Sequence, residues 1–402
     1  MNIDDSFQNP FKPGAGHSPP YLAGRSKELD EFKKLLKQRE ILENLVLTGL
    51  RGTGKTVLLE KFRPMALSEG WMWVGTDMSE SASTTEENLA IRMITDLSVA
   101  TSNIVIDQRT SPKIGFTGGE ETVITSLNYM TLMNVYNNTP GLISDKLKAT
   151  LEIASRYIQG AQIPGVVFAY DESQNLSDHP KKAQFPLSML LDIFQSLQRS
   201  GICFMMVLTG LPTLFPKLVD ARTYAERMFH VMMLEQLGES DSRDAIIKPI
   251  ETSECPVKFD DMSVNTIVGI SGGYPYFIQF ICREVYDLFI QKMARGEKAS
   301  VPVEEIVRKL DTDFFAGRWN RATDRQRELL HVISQLNNCD HEFSVQEIVD
   351  MSRSLLDKPF GASNVNQMLG SLTSHGLIYK NRHGRYSFAV PLLGKYIRRM
   401  LG

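Results

Sequence analysis

Apolar positions along the chain change period several times, and each change predicts an element. Between Arg25 and Glu43, Leu29, Phe32, Leu35 and Leu36 recur among charged residues at helical spacing, with Ser26 placed to cap the start. Leu45 to Thr48 is a short continuous apolar run that predicts a buried strand, and Val57 to Phe62 begins a helix that Pro64 disturbs. Trp71 to Val74 predicts a second strand, and Thr85 to Leu97 a helix with Leu89, Met93, Ile94 and Leu97 on one face. The pattern lapses between Thr101 and Glu121 into a segment rich in Ser, Thr and Gly, which reads as a loop or hairpin insertion. A helix at Leu142 to Ile158, a strand at Val166 to Tyr170, a helix at Leu187 to Arg199 and a strand at Ile202 to Leu208 follow. Strands alternating with helices predict a parallel sheet covered on both faces.

After His230 the strand signals fade. Helical periodicity at Ala245 to Glu251, Val264 to Ile270, Tyr276 to Met293 and Pro302 to Phe314 predicts a small all-α lid. From Asp324 the pattern changes again: helices at Gln326 to Leu336, Val345 to Ser352 and Ser363 to His375 precede β segments at Leu377 to Lys380 and Tyr386 to Val390, joined by the turn Asn381 to Gly384. Three helices followed by a β hairpin is the order of a winged helix. The expected division is an arm over residues 1–20, an α/β core over 21–235, a helical lid over 236–318 and a winged helix over 319–402. The arm is polar and rich in proline and glycine, a composition that buries little.

A length of 402 residues with 42% hydrophobic content suits two or three globular domains. The net charge of −3 offers no chain-wide nucleic-acid signature, so any such contact needs a local basic patch. Cys203, Cys255, Cys282 and Cys339 are scattered, with no histidine at zinc-ligand spacing, which argues for reduced thiols and against a metal cluster. The longest apolar runs fall well short of the roughly 20 residues that span a bilayer. Asp4 and Asp5, with no apolar segment behind them, do not make a signal peptide, so the expected location is the cytoplasm.

The chemistry begins where the first strand meets the next helix. Gly49, Gly54, Lys55 and Thr56 fit G-x-x-x-x-G-K-[ST], with the strand before and the helix after that this phosphate loop requires. Backbone N–H groups of such a loop close around phosphate oxygens, so Gly49, Arg51, Gly52, Thr53, Gly54, Lys55, Thr56 and Val57 are candidate ATP-binding residues. Lys55 would reach the β- and γ-phosphates and Thr56 would hold Mg²⁺. The strand Val166 to Tyr170 ends in Asp171 and Glu172: the first carboxylate suits the Mg²⁺ shell, the second suits orienting and deprotonating a water. Thr209, at the end of the next strand, is placed either to meet the γ-phosphate or to cap the following turn. Arg222 and Arg227 offer guanidinium groups suited to transition-state charge, or to surface pairs with Glu226 or Asp220.

Together with Tyr21-Leu22-Ala23-Gly24-Arg25-Ser26-Lys27-Glu28-Leu29, these motifs resemble the AAA+/STAND superfamily of P-loop ATPases, and more narrowly replication-initiator-like and archaeal-type ATPases with a helical lid and a winged helix. The resemblance implies that Gly24 and Arg25 lie near the adenine, that Thr209 is the sensor 1 residue, and that Arg227 is the arginine finger for a neighbouring subunit. Where many such proteins place a sensor 2 arginine, this chain has Ser271-Gly272-Gly273-Tyr274-Pro275-Tyr276, similar to the glycine-x-proline lid motif of switch ATPases. Tyr274 and Pro275 would cover the base, or serve as ordinary core residues at a helix start.

From Leu377 onward the basic residues are Lys380, Arg382, Arg385, Lys395, Arg398 and Arg399, with no acid among them. A wing carrying Arg382, His383 and Arg385 suits phosphate contacts. The recognition-helix candidate, Ser363 to Leu369, has Asn and Gln but no Arg or Lys, so DNA contact and protein docking both fit. The expected protein is therefore a slow, ATP-dependent switch or assembly factor that binds ATP and ADP, forms nucleotide-dependent homo-oligomers and touches DNA or a protein partner. A nucleotide-gated interaction module without turnover, in a signalling or defence assembly, is the alternative.

Overall fold

The computed structural model describes residues 8–14, 16–112, 120–253, 257–382 and 384–401. In chain order, helix α1 (Ser26–Leu36) leads to strand β1 (Asn44–Gly49), α2 (Lys55–Ser68), β2 (Met72–Val74), α3 (Glu86–Thr101), β3 (Val105–Pro112), β4 (Glu120–Ser126), α4 (Tyr129–Asn138) and α5 (Ile143–Gly160). Then come β5 (Val166–Tyr170), α6 (Pro186–Arg199), β6 (Phe204–Gly210), α7 (Leu214–Ala221), α8 (Ala225–Met228) and β7 (Phe229–Leu234). Helices α9 (Glu239–Thr252), α10 (Asp261–Ser271), α11 (Pro275–Ala294) and α12 (Val303–Leu310) are followed by a widened π turn (Asp311–Ala316) and α13 (Gly317–Trp319). The C-terminal elements are α14 (Asp324–Ser334), β8 (Phe343–Ser344), α15 (Val345–Leu355), α16 (Ala362–Ser374), β9 (Ile378–Arg382), β10 (Arg385–Phe388) and α17 (Leu393–Leu401).

The chain groups into two compact units. One comprises Glu28–Thr48 and Leu58–Met232; the other comprises Met1–Lys27, Gly49–Val57 and Met233–Gly402. The first holds the α/β sheet, in the order β2-β5-β6-β1-β7. Pairs β2–β5, β5–β6 and β1–β6 are parallel, as the alternation of strands and helices predicts. All five residues of β5 are buried, the state of a central strand covered on both faces. The register aligns the strand ends: Tyr170 pairs with Leu208, Leu47 with Thr209 and Thr48 with Gly210. Strands β1, β5 and β6 therefore end together at the carboxyl edge of the parallel sheet.

Several elements differ from their sequence expectation. Helix α1 stops at Leu36 rather than Glu43 because side chains capture its last carbonyls: Gln38 Nε2 donates to Leu35 at 3.1 Å, and Trp71 Nε1 donates to Leu36 at 3.1 Å. Helix α2 runs through Pro64. Strand β7 was not expected; it lies at an edge of the sheet, and its alternating burial, with Val231 and Met233 exposed, marks it as half-covered. The insertion after α3 is an antiparallel hairpin of β3 and β4, paired from Val105–Ser126 to Pro112–Glu120; residues 113–119 of it lie outside the described residues.

In the second unit α9 to α13 and α14 to α17 share one apolar core, from Leu237 through Phe277 and Phe315 to Ile397. The expected order of three helices and a β hairpin is present, and β8 joins the hairpin as a third strand in the order β8-β10-β9. His383 lies outside the described residues. Helix α17, buried through Leu393, Tyr396 and Ile397, had no counterpart in the sequence reading. Phe11, despite its polar surroundings, is 2% exposed, stacked on Phe259 and edge-on to Tyr286, while Asn9 donates to the Arg283 carbonyl at 2.9 Å. The arm thus buries more than its composition predicts. Cys282 and Cys339 are buried free thiols, Cys203 is half-buried, and Cys255 lies outside the described residues. No described helix is long and apolar enough to cross a membrane.

Candidate functional site

The glycine loop occupies the gap between the end of β1 at Gly49 and the start of α2 at Lys55. Gly52 has φ of 81° and Gly54 of 90°, a backbone region that side-chain-bearing residues rarely adopt. Nothing lies within 4 Å of where a Cβ on Gly54 would stand. Lys55 folds back across the loop: its Nζ donates to the carbonyls of Gly49 at 2.9 Å and Leu50 at 2.8 Å. Thr53 Oγ1 donates to the Leu50 carbonyl at 2.9 Å, bracing the turn from inside. Thr56 and Val57 lie in the first turn of α2, the end that carries the helix's partial positive charge.

Two other segments of the same unit converge on this loop. Arg25 is buried, 7% exposed, and its Nη2 donates to the Thr53 carbonyl at 3.1 Å and the Glu235 carbonyl at 2.8 Å. Gly24, beside it, is packed against the Asp241 side chain. Pro275 opens α11 at its first position, with Tyr274 extended before it, an arrangement that proline's fixed φ favours. The residue that meets the loop is the next one, Tyr276, whose N–H donates to the Gly52 carbonyl at 3.1 Å. Burial, with the negative charge of Asp340 and neighbouring groups, pushes the Tyr274 hydroxyl up to about 12.

Arg318 is a residue that motif reading passed over. Its guanidinium stacks over the Phe314 ring at 4.3 Å and donates to the Phe314 carbonyl. Burial, with the like charges of Arg51 and Arg321, depresses its affinity for its proton. Among the described residues none of these three arginines forms an ion pair with a carboxylate. The signal in the sequence was an arginine flanked by aromatic residues, a pattern with no meaning until the fold brings Arg51 near it.

The other unit carries the carboxylates. Asp171, 5% exposed, accepts the Glu172 N–H at its Oδ1, 2.7 Å away, and forms a parallel bridge with Asp77. Glu172 is exposed, in a left-handed conformation with φ of 51°, and its carboxylate accepts a hydrogen bond from Gln174. Thr209 is fully buried, and its hydroxyl has no hydrogen-bond partner among the described residues; it caps no turn. Thr48, the last residue of β1 in this unit, has a buried hydroxyl in the same state, a feature the sequence did not single out. Arg222 is committed to a bidentate pair with Asp192, with contacts at 2.8 and 2.6 Å. Arg227, on α8, is exposed and has no carboxylate partner among the described residues; neither Glu226 nor Asp220 pairs with it.

Thus the structure brings Gly24, Arg25, Gly49, Arg51, Gly52, Thr53, Gly54, Lys55, Thr56, Val57, Tyr274 and Pro275 into one unit, and places Asp171, Glu172, Thr209 and Arg227 in the other. Among the described residues no cluster of three or more His, Cys, Asp or Glu gathers as a metal centre. The donors of interest, a threonine hydroxyl and a buried carboxylate, are hard oxygens of the type that Mg²⁺ takes alongside phosphate.

A domain family of unknown function, DUF8462, matches residues 312–397. No curated protein sequence matches the chain. Among solved structures, a Walker-type ATPase of Pyrococcus abyssi is similar over 99% of this chain and 100% of its own, with 14% identity and a TM-score of 0.56. The ORC2 protein of Aeropyrum pernix in its ADP form is similar over 98% of this chain and 100% of its own, with 14% identity and a TM-score of 0.54. Over nearly its whole length the chain shares the fold of the Pyrococcus abyssi Walker-type ATPase and of the Aeropyrum pernix ORC2 protein.

Proposed function

We propose that this chain binds ATP at the Gly49–Val57 loop, hydrolyses it slowly, and uses nucleotide state to reposition its C-terminal winged helix. In this reading residues 21–235 are the ATPase core, 236–318 the lid and 319–402 the winged helix. Chief support comes from Lys55, whose ammonium is already folded over the loop by the carbonyls of Gly49 and Leu50. An ammonium held there would also meet phosphate oxygens, a charge-assisted contact. Thr56 and Asp171 would hold Mg²⁺, which supplies charge neutralisation on the phosphates. Glu172 would take the proton of the attacking water, and the orphaned hydroxyl of Thr209 would meet the γ-phosphate or that water. Arg227, exposed and with no carboxylate partner among the described residues, would act on the nucleotide of a neighbouring copy, so assembly should depend on ATP.

The test is Lys55→Ala. Nucleotide affinity, followed with a fluorescent ATP analogue, should fall about a hundredfold or more, near 2.7 kcal/mol, and phosphate release should stop. Unchanged hydrolysis in that variant would sink the proposal.

A specific observation favours a protein rather than a duplex as the winged helix's target. Arg385 pairs with Glu347 at 3.1 Å, Arg398 donates to the Ser334 carbonyl, and Arg399 is paired with Asp311. Half of the basic residues after Leu377 are therefore engaged within the fold.

A further inference from the structure

We infer that Gln174 is the positioning residue for Glu172, its side-chain amide fixing the carboxylate from one side and the end of strand β6 from the other. The inference rests on the hydrolytic reading above. Gln174 lies in the 3-10 turn Ser173–Asn175, directly after the two carboxylates. Its Oε1 accepts the Leu211 N–H at 3.2 Å. A backbone N–H can only donate, so this contact settles which end of the amide faces β6 and turns the NH₂ group toward Glu172. There Nε2 donates to Glu172 Oε2. Among the described residues Glu172 Oε1 has no partner, which leaves one oxygen of an oriented carboxylate able to accept a proton from water.

The surroundings hold the glutamine in this pose. Its carbonyl accepts from Lys217 Nζ at 2.6 Å, and the same ammonium donates to Ser177 Oγ at 2.9 Å. Gly210 makes room for the amide: a Cβ there would stand 2.7 Å from Gln174 Oε1 and 3.3 Å from its backbone nitrogen. Glu172 itself is held by its neighbours in a backbone region that glutamate rarely adopts, its N–H on Asp171 and its carbonyl accepting from Asn175 N at 3.0 Å. With the backbone so constrained, the remaining freedom is in the side chain, and Gln174 removes it. Because Leu211 follows Thr209 and Gly210, a change at the end of β6 is passed to Glu172 through one amide.

Gln174→Ala, Gln174→Glu and Gly210→Ala in the full chain test this, with turnover and nucleotide affinity measured separately. Gln174→Ala should lower kcat about ten- to a hundredfold, the usual loss when a group orienting a reacting side chain is removed, with nucleotide affinity unchanged. Gln174→Glu keeps the size and the acceptor for Leu211 but presents an oxygen to Glu172. It should melt like the wild type and still lose turnover. Gly210→Ala displaces the amide from the β6 side and should show the same fall in kcat. Wild-type turnover in Gln174→Glu, or in a folded Gly210→Ala, would overturn the assignment. A wild-type chain that binds ATP without turning it over would instead overturn the hydrolytic reading, and this role with it.

Discussion

Arg25 and Thr53 are joined by a buried hydrogen bond of 3.1 Å between a guanidinium nitrogen and the carbonyl at the crown of the glycine loop. The same nitrogen also reaches Glu235 at 2.8 Å, so one side chain ties the loop to the segment after β7. Arg25→Met keeps the apolar stem and removes the donors, leaving two carbonyls short of a charged partner. The expected loss is about 2–3 kcal/mol, read as a lower urea midpoint, with weaker nucleotide binding because the loop is no longer braced. Wild-type stability in this variant would refute the bracing role.

Gly52 is constrained twice. Its φ of 81° disfavours any side chain, and a Cβ would stand 3.1 Å from Cβ of Tyr276. Gly52→Ala should cost about 1–2 kcal/mol through the backbone and loosen the Tyr276 N–H from the Gly52 carbonyl. Hydrogen exchange at the Tyr276 amide should accelerate, whereas Tyr276→Phe, which leaves that backbone contact intact, should not change it.

Asp192 is held below its ordinary value near 3.8 chiefly by its hydrogen bonds to Arg222. A carboxylate with a depressed folded value stabilises the fold above its unfolded value and loses that contribution as pH falls through the folded one. The pair is more than a third exposed, so solvent screening limits it to about 1 kcal/mol or less. Arg222→Leu should therefore be less stable than wild type at neutral pH, and the difference should shrink as the pH drops below 4. A constant difference across that range would show that Arg222 acts by packing.

With Arg385, Arg398 and Arg399 engaged internally, at most three of the six Lys and Arg residues after Leu377 are left for phosphates. At about −0.9 per neutralised phosphate, a plot of log affinity against log salt for duplex DNA should have a slope no steeper than about −3. A slope near −5 would mean that the internal pairs open on binding and that DNA is the winged helix's ligand after all.

The core was legible because its signals are local. Val166 to Tyr170 and Phe204 to Leu208 are unbroken apolar runs, as strands buried on both faces must be, and the glycine loop announces itself by its own residues. Strand β7 was not legible: Phe229 to Leu234 is nearly all apolar, yet it sits at a sheet edge where only alternate residues are buried. Helix α17 hid behind a proline and a basic tail. Gly49 closes β1, and Asp171 and Glu172 directly follow β5, the strand-then-motif order that the sequence predicts. Gln174 and Arg318 stayed invisible because their partners are remote: Leu211 is 37 residues from Gln174, and Arg51 lies on another segment. Arg222 and Arg227, equivalent by type, were separated only by the presence of Asp192 beside one of them.

In the proposed reading, the left-handed backbone at Glu172 sets durability against activity at a single residue. Glycine is the residue this conformation favours, and Glu172→Gly should relieve about 1 kcal/mol of strain, giving a chain that melts later than the natural one and turns over no ATP. Selection for a long-lived fold alone would not keep a glutamate there. An enzyme engineered for shelf life by relaxing its least comfortable residues would be silenced at the first step.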